Sequence, residues 1–226
     1  EEYYMGEMMP AVNSMSGVGK FSATELKKQL SGKTASVQPS VENYTSAMGG
    51  VCSPKDIETM LQLLYLNFTQ PRFNKDDVDN LTKMLLAKSN PDFLMQEKVA
   101  DVTYGHNPRR QMISTEIVNK FDFEQLPGIY AKLYPGANGF VFTFVGNIDP
   151  ETLKPLVEKY IGSIPAARKP INYVDDKAYP VKGEVTEEFT APMQQPKVSV
   201  NYHFSGEMPY TLKNKMALTF LTQALN

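Results

Sequence analysis

Apolar residues recur with helical spacing most clearly in the segment that follows Ser53 and Pro54. The apolar positions are Ile57, Met60, Leu61, Leu64, Tyr65 and Phe68, which fall at i, i+3, i+4, i+7, i+8 and i+11. This spacing is typical of an amphipathic helix that buries one face. Proline is common at the first helical position, so Ser53-Pro54 predicts where this helix begins.

Polar caps predict the starts of several other helices. Ser22 and Glu25 form a capping box ahead of "TELKKQL", and Gly32 follows as a helix end. The other expected caps are Asn74, ahead of Val78, Leu81 and Leu85; Asn90 with Pro91, ahead of a helix to about Tyr104; Ser114; and Asp122. Pro127 lies within the last of these segments, which predicts a kink or a late start there.

Other apolar patterns predict strands. "TASVQPS" and "VENYTSAMGG" combine alternation with β-branched and turn residues, which favours two adjacent strands. The run from Phe140 to Val145 is rich in β-branched and aromatic residues and predicts a strand buried on both faces. Asp149 then caps a helix whose first residue is Pro150. The apolar face of that helix is Leu153, Leu156, Val157 and Tyr160, before Gly162.

The composition changes between Ser163 and Lys182, where prolines recur and helical periodicity is lost. We predict a linker over 163–182, between an α+β unit at 1–162 and the start of a second similar unit at 183–226. The second unit is expected to hold strands at "EVTEEFT" and "KVSVNYHF" and a helix over 210–224. The chain has no initiator Met and its last apolar pattern runs to the end, so we expect a piece of a longer protein.

Composition and charge exclude several classes of function. The 226 residues are 42% hydrophobic and 21% charged, which is ordinary for a globular protein. The 23 basic residues are spread along the chain and balanced by 25 acidic ones, so neither nucleic acid nor an anionic membrane surface is an expected partner. No segment reaches the roughly 18 apolar residues that a membrane span needs, and we expect a soluble protein.

Candidate catalytic and metal-binding residues are few. His106 and His203 are far apart, with no carboxylate at a ligand spacing from either, and each is better explained as structural or solvated. The single cysteine, Cys52, excludes an internal disulfide and a cysteine-only metal site. It precedes a helix start, which can lower the pKa of a thiol, but no nearby histidine supports catalysis. We predict no catalytic, cofactor-binding or metal-binding residue in this chain.

Two glycine segments are superficially like phosphate-binding loops. "SGVGK" lacks the spacing of such a loop and has no strand before it. "VGNIDPE" has one glycine, Gly146, and places Asp149 and Glu151 where a bound anion would lie, so their charges oppose binding. A scaffold joint is therefore favoured over a cofactor site, and a nucleotide-binding enzyme is the least favoured hypothesis.

Four stretches, taken in order, resemble the insulinase/pitrilysin family of zinc metallopeptidases, also called inverzincins. The stretches are "GKFSATELKKQLSGKTASVQPSVENYTSAMGG", "SPKDIETMLQLLYLNFTQPRF", "YGHNPRR" and "FVFTFVGNIDPETLKPLVEKYIGSIP". The last is similar to the turn that joins the final strand and helix of a structural unit in that family. The resemblance extends from about Met15 to Pro165.

The resemblance also locates a missing feature. The family signature is H-x-x-E-H on a helix, with a glutamate on a later helix as third zinc ligand. Alignment through "FSATEL" places the signature at Met8 to Val12, which here is "MMPAV", and Pro10 is expected to disturb the helix. The later helix, "KDDVDNLTKMLLAKSN", contains no glutamate. The resemblance therefore implies a unit that keeps the fold without the metal.

The family's architecture implies a fold and a role. The expected fold is that of a mitochondrial processing peptidase-like metallohydrolase, α+β, with a mostly antiparallel sheet packed against helices and the leading strands missing. The chain would be the non-catalytic half of a zinc-dependent endopeptidase and form the wall and peptide-contacting surface of a closed chamber. Zinc is expected in the catalytic N-terminal half of the same polypeptide or in a partner subunit, and a peptide is the expected substrate.

The alternative is a metal-free peptide-binding or assembly subunit without protease activity. The parent would be a bacterial periplasmic or cytoplasmic protein.

Overall fold

Helices surround one antiparallel β-hairpin in the part of the chain that the computed structural model describes, residues 2–87, 91–166, 172–190 and 208–225. The helices are α1 (Glu2–Ser16), α2 (Ala23–Gln29), α3 (Ile57–Thr69), α4 (Lys75–Ala87), α5 (Pro91–Thr103), α6 (Thr115–Val118), α7 (Leu126–Leu133), α8 (Pro150–Tyr160) and α9 (Leu212–Leu225). The hairpin strands are β1 (Ala35–Val41) and β2 (Ser46–Cys52). Short 3-10 turns at Pro54–Asp56 and Phe123–Gln125 lead into α3 and α7. The architecture is α+β, as expected.

The predicted helices are confirmed, together with the caps that lie within the described residues; the expected cap Asn90 lies outside them. Ser22 Oγ accepts a hydrogen bond from Glu25 N at 3.3 Å, and Glu25 Oε2 accepts one from Ser22 N at 2.9 Å, which completes the capping box. The Asn74, Ser114 and Asp122 side chains accept from backbone N–H groups of the following turn. Helix α7 begins at Leu126, so Pro127 gives a late start and lies in the first turn, where its missing N–H costs little.

The predicted hairpin is also confirmed, in a register that pairs Ala35 with Cys52 and Val41 with Ser46. Alternate β1 residues turn inward, with Pro39 buried. A Cβ at Gly50 would lie 3.0 Å from Met60 Sδ of α3, so the small residue lets the helix approach the strand closely. The hairpin therefore packs directly on α3.

Helix α1 occupies the centre of the core. Met5, Met8, Met9 and Val12 are almost fully buried, and α1 packs against β1, α4 and α7. Two tyrosine hydroxyls fasten α7 to its neighbours across this core. Tyr130 Oη donates to Asn67 O of α3 at 2.8 Å, and Tyr134 Oη, just after α7, donates to Ser40 O of β1 at 2.9 Å.

The prediction of a strand buried on both faces at Phe140 to Val145 is wrong. The chain there has alternate exposure: Phe140, Phe142 and Phe144 pack against the core, whereas Val141 and Val145 are 91% and 94% exposed. Residues 141–145 form no backbone hydrogen bond with any residue that the structure describes. A strand needs a neighbouring strand to pair its N–H and C=O groups, and apolar composition alone does not supply one.

The remaining predictions for the second half have mixed outcomes. Helix α8 is capped by Asp149 as expected, and its predicted apolar face packs against the core. Helix α9 is confirmed within one or two residues of the predicted bounds. The predicted strand "EVTEEFT" is wrong over the described residues 184–190, which form no strand. "KVSVNYHF" lies outside the described residues.

The full burial of Leu61 on α3 predicts a large loss of stability for Leu61→Ala. Leu61 is 0% exposed, so its truncation leaves a cavity and should lower the free energy of unfolding by about 2–5 kcal/mol. Urea denaturation followed by circular dichroism measures this loss. The matched control is Leu221→Ala on α9, where the side chain is 54% exposed and the expected change is within about 0.5 kcal/mol. Equal losses in the two variants would contradict the assignment of α3 to the core.

Candidate functional site

The two helices at which the resemblance places zinc ligands meet at an apolar depression. Met8 and Val12 of α1 are 5% and 1% exposed, and Val78 of α4 is 7% exposed. They line the depression together with Met5, Phe121, Asp122, Phe123 and Leu126. Its empty volume is about 230 Å³, below the roughly 300–1,000 Å³ of a ligand pocket.

The donors around this depression do not form a ligand set. The Asp122 carboxylate accepts hydrogen bonds from Glu124 N at 3.0 Å and from Gln125 Nε2 at 2.9 Å, as the cap of a helical turn. Zinc in proteins is held by imidazole, thiolate and carboxylate groups that converge on one point. Within the described ranges, no group of three or more His, Cys, Asp or Glu side chains could hold a metal ion.

Pro10 does not interrupt α1, contrary to the expectation from sequence. The helix runs without a break from Glu2 to Ser16 and includes Pro10. An internal proline removes one backbone hydrogen bond and crowds the preceding turn. Burial of Met5, Met9 and Val12 on either side of it offsets that cost, because tertiary packing supplies most of the stability of a helix in a protein.

His106 lies in a network of charged groups that sequence spacing did not reveal. Its Nδ1 is 2.6 Å from Asp101 Oδ2, and its Nε2 is 3.1 Å from Glu187 Oε1. Lys98 Nζ is 3.3 Å from Glu187 Oε2. Glu187 belongs to a distant segment, so no local pattern could predict its approach. His203 lies outside the described residues.

The environment of Cys52 opposes a reactive thiol. Cys52 ends β2 and is half-buried, and burial raises the pKa of its thiol, with a further contribution from the negative charge of Asp56. This direction is opposite to the lowering that a helix start can cause. The thiol form therefore predominates at neutral pH.

The glycine segments are built as turns. In "SGVGK", Gly17 and Gly19 have φ of +83° and +57°, and Gly19 N donates to Gln70 O at 2.9 Å. A Cβ at Gly17 would lie 2.3 Å from Phe21 O, so glycine is required by the close approach of the chain. At "VGNIDPE", the Asp149 carboxylate accepts hydrogen bonds from the first amides of α8, which are the groups that a phosphate would use.

A cluster of tyrosine and arginine side chains covers the amino-terminal end of α1. We define the tyrosine–arginine cluster as Tyr3 and Tyr4 of α1, Tyr44 of the hairpin turn, and Arg109 and Arg110 of the loop after α5. The Arg109 guanidinium carbon lies 5.5 Å from the centre of the Tyr3 ring, and Tyr3 and Tyr4 are edge to face at 5.2 Å. The cluster joins α1, the hairpin and the "YGHNPRR" loop.

Hydrogen bonds orient the tyrosines of this cluster. The Tyr3 hydroxyl lies 2.7 Å from both Glu7 Oε1 and Asn43 Oδ1, and Tyr4 Oη donates to Pro108 O. Burial, and next the hydrogen bond to Glu7, raise the pKa of the Tyr3 hydroxyl. Tyr3 is therefore a neutral hydrogen-bond donor over the physiological pH range.

Arg110 attaches the predicted linker to this cluster. Its Nη2 lies 3.5 Å from Asp176 Oδ2, and Tyr44 Oη donates to Asp176 Oδ1 at 2.8 Å. The Arg110 and Asp176 side chains are only 13% and 3% exposed. The hydrogen bond from Tyr44, followed by other contacts that include the charge of Arg110, lowers the pKa of the Asp176 carboxyl.

We call residues 172–190 the strap. The strap contains no helix or strand, and it lies against the end of α5. Val181 N donates to Thr103 O at 2.9 Å, and a Cβ at Gly105 would lie 3.0 Å from Val181 Cγ1. Sequence reasoning missed this attachment because prolines and lost periodicity are typical of a linker. The sequence contains one signal of it, a basic pair, Arg109-Arg110, and a complementary acidic pair, Asp175-Asp176, but nothing in the sequence shows that the two pairs meet.

Comparison with known proteins finds similarity to one family of peptidases. Residues 120–226 match the family model described as the peptidase M16 inactive domain. A protein of Arabidopsis thaliana named zinc protease PQQL-like is 26% identical over 165 residues, which is 68% of this chain and 17% of that protein. The probable zinc protease PqqL of Escherichia coli strain K12 is 24% identical over 222 residues, which is 94% of this chain and 23% of that protein.

Solved structures agree on the fold. The periplasmic protease PqqL from Escherichia coli has a TM-score of 0.65 and 17% identity, over 78% of this chain and 20% of that chain. A mutant of the ferredoxin protease FusC, in complex with Arabidopsis ferredoxin, has a TM-score of 0.62 and 15% identity, over 79% and 20% of the two chains. The chain thus has the fold of these proteases, and the match of its residues 120–226 to the inactive-domain model of the M16 family agrees with the resemblance seen in sequence. It spans about a fifth of the length of the curated relatives that it matches.

The buried pair of Arg110 and Asp176 predicts that Arg110→Gln loosens the strap. Loss of the guanidinium leaves a buried carboxylate without its cation, which is strongly unfavourable. The amide hydrogens of Ala178 and Val181, both hydrogen-bonded in the strap, should exchange severalfold faster with deuterium. Arg109→Gln is the matched control and should leave this exchange unchanged. Exchange that is equally fast in the parent chain and in Arg110→Gln would contradict the attachment.

Proposed function

We propose that this chain is the non-catalytic half of a zinc-dependent endopeptidase with a mitochondrial processing peptidase-like fold. In this role it forms the wall and peptide-contacting surface of a closed proteolysis chamber. One observation carries the proposal: Met8 and Val12, where the family resemblance places the signature histidines, meet Val78 of the later helix in an apolar depression. Apolar side chains there stabilise the unit but cannot activate water.

The chemistry would then be divided between two halves. Zinc in the catalytic half, either on the same polypeptide or on a partner subunit, would lower the pKa of a bound water and polarise the scissile carbonyl. A half without ligands contributes by holding the peptide in a reactive geometry and by excluding bulk water. The match to about a fifth of each relative named a zinc protease supports a further, catalytic half elsewhere.

Arg109 is the best candidate for a peptide contact. The residue is exposed, its ring partner Tyr3 holds the guanidinium in place, and the guanidinium forms no hydrogen bond with any described residue. Its N–H groups can therefore donate to the carbonyl oxygens or to a carboxylate of a peptide. A stacked guanidinium loses little side-chain entropy on binding, which favours such a contact.

We also propose a domain organisation and a cellular location for the protein. The chain divides into a unit at 1–162, a linker at 163–182 and the start of a second unit at 183–226, and the strap attaches the linker to the first unit. The structural similarity to the periplasmic protease PqqL from Escherichia coli favours a bacterial periplasmic location over a cytoplasmic one. Within the described residues, no helix is long and apolar enough to cross a bilayer.

An assembly or peptide-binding subunit without protease activity is the second candidate function. Helix α9 favours it, because the side chains of Leu212, Met216, Phe220 and Leu221 are 49% to 73% exposed. Exposed apolar surfaces of this kind are typical of protein–protein contacts. An H-x-x-E-H helix in the same polypeptide, or in a partner that copurifies with it, would favour the peptidase; its absence from both would favour the subunit.

The metal-free depression predicts that the purified chain does not bind zinc stoichiometrically and does not cleave peptides. Elemental analysis after dialysis against zinc, together with a fluorogenic peptide assay, measures both properties. A catalytic M16 peptidase treated in the same way is the positive control. One zinc ion per chain, with peptidase activity that a chelator removes, would overturn the proposed function.

The exposed Arg109 predicts a defect in peptide binding within the active assembly. Arg109→Ala should raise KM for peptide hydrolysis by roughly threefold to tenfold and change kcat less, because the lost hydrogen bonds serve binding. Steady-state kinetics of the full parent protein or of the assembled halves provide the measurement. Lys154→Ala removes an exposed cation on α8 and is the control. An unchanged KM in Arg109→Ala would remove Arg109 from the peptide-contacting surface.

A further inference from the structure

The strap is attached to the first unit at two separate points. The first anchor is the buried Asp176, held by Arg110 and Tyr44. The second anchor is Glu187, whose two carboxylate oxygens lie 3.1 Å from His106 Nε2 and 3.3 Å from Lys98 Nζ. The backbone hydrogen bond from Val181 to Thr103 lies between them along the strap. The two anchors differ in chemistry, since only the second contains a group that titrates near neutral pH.

The backbone holds His106 in place for this contact. Gly105 and His106 have φ of +60° and +59°, so both residues adopt the left-handed conformation. His106 is not a glycine, and such a conformation is uncommon for a histidine. His106 N donates to Asp101 O at 2.8 Å, which closes the turn at the end of α5. The turn directs one ring nitrogen at Asp101 and the other at Glu187.

We propose that His106 is a proton-dependent clasp, in which the imidazolium ion bridges Asp101 of α5 and Glu187 of the strap and so fixes the strap at acidic pH. The imidazolium ion has two N–H donors, one for each carboxylate. Neutral imidazole has only one N–H. With that proton on Nδ1 toward Asp101, the Nε2 lone pair faces a Glu187 oxygen and the contact becomes repulsive. Deprotonation thus releases the Glu187 end of the strap.

The charged neighbours of His106 set the direction of the pH dependence. Lys98 and Asp101 lie on α5, Gln111 donates to Asp101 Oδ1 at 3.0 Å from the following loop, and Glu187 lies on the strap. The hydrogen bond to Asp101, and next its charge, raise the pKa of His106 above the ordinary 6.5, and Glu187 adds to this. Burial opposes ionisation of Asp101, but the bonds from His106 and Gln111 lower its pKa overall.

The sign of the effect follows from these directions. Because the pKa of His106 is raised on folding, its contribution is fully present below pH 6.5 and is lost as pH rises through the raised value. The pKa of Asp176 is lowered, so the first anchor is present above pH 3.8 and is lost only as pH falls through the lowered value.

Raising the pH above neutral should therefore release the second anchor and leave the first attached. Residues 183–190 of the strap lie at the start of the proposed second unit, so this change would free that segment from the first unit. The inference depends on geometry within this chain and goes beyond the proposed function.

Nuclear magnetic resonance of the full 226-residue chain tests the clasp. The ring protons of His106 and the backbone amides of 184–190 are followed from pH 5.5 to 9, and the His106 signals are assigned with the His106→Asn variant. Asparagine tolerates the left-handed conformation and has no titrating group, so this variant keeps the turn. The amides should titrate with the midpoint of His106 in the parent chain, and this titration should be lost in His106→Asn.

A pair of adjacent substitutions separates a specific contact from a general charge effect. Glu187→Gln should lower the midpoint of His106 and remove the coupled titration of the strap amides. Glu188→Gln removes the same charge one residue later, where the side chain is exposed, and should change neither. Strap amides that do not titrate with His106 would overturn the proposal. Equal effects of the two glutamine variants, or coupled titration that persists in His106→Asn, would overturn it as well.

Discussion

Burial of α1 is the constraint on which the rest of the structure depends. The hairpin, α4 and α7 all pack around this helix, and the side chains that they enclose are Met5, Met8, Met9 and Val12. Full burial of each such side chain contributes about 1.5–3 kcal/mol, so this helix accounts for a substantial part of the driving force for folding. Any side chain placed on this face must satisfy the core before it can perform chemistry.

The same constraint explains which side chains stand where the family resemblance places the metal. A zinc site at this position would need imidazole and carboxylate groups from α1 and α4 to converge. The chain instead presents Met8, Val12 and Val78, whose burial stabilises the contact between the two helices. Pro10 is tolerated within α1 because the packing on either side of it is strong.

Charged and aromatic contacts, rather than apolar burial, organise the periphery. The "YGHNPRR" loop holds the strap through Arg110 and His106, and it holds the amino-terminal end of α1 through Arg109 and the backbone of Pro108. One short loop therefore connects α1, the hairpin turn and the strap. The outer surfaces at Val141, Val145 and α9 are exposed and apolar.

The sequence by itself determined the features that depend on neighbouring residues. Capping boxes, helical periodicity and turn residues act within a few positions, and they predicted α2, α3, α8 and the hairpin because the stabilising groups lie in the same segment. The lack of histidine and glutamate at Met8 to Val12, where the resemblance places the family signature, was visible for the same reason. Only the tertiary structure decided the features that need a distant partner. Phe140 to Val145 has strand composition but no paired neighbour in the part of the chain that the structure describes. The contacts of Asp176 with Arg110 and of Glu187 with His106 join residues far apart in the chain. Hydrogen bonds and ion pairs of that kind depend on where the fold places both groups, which no local pattern records.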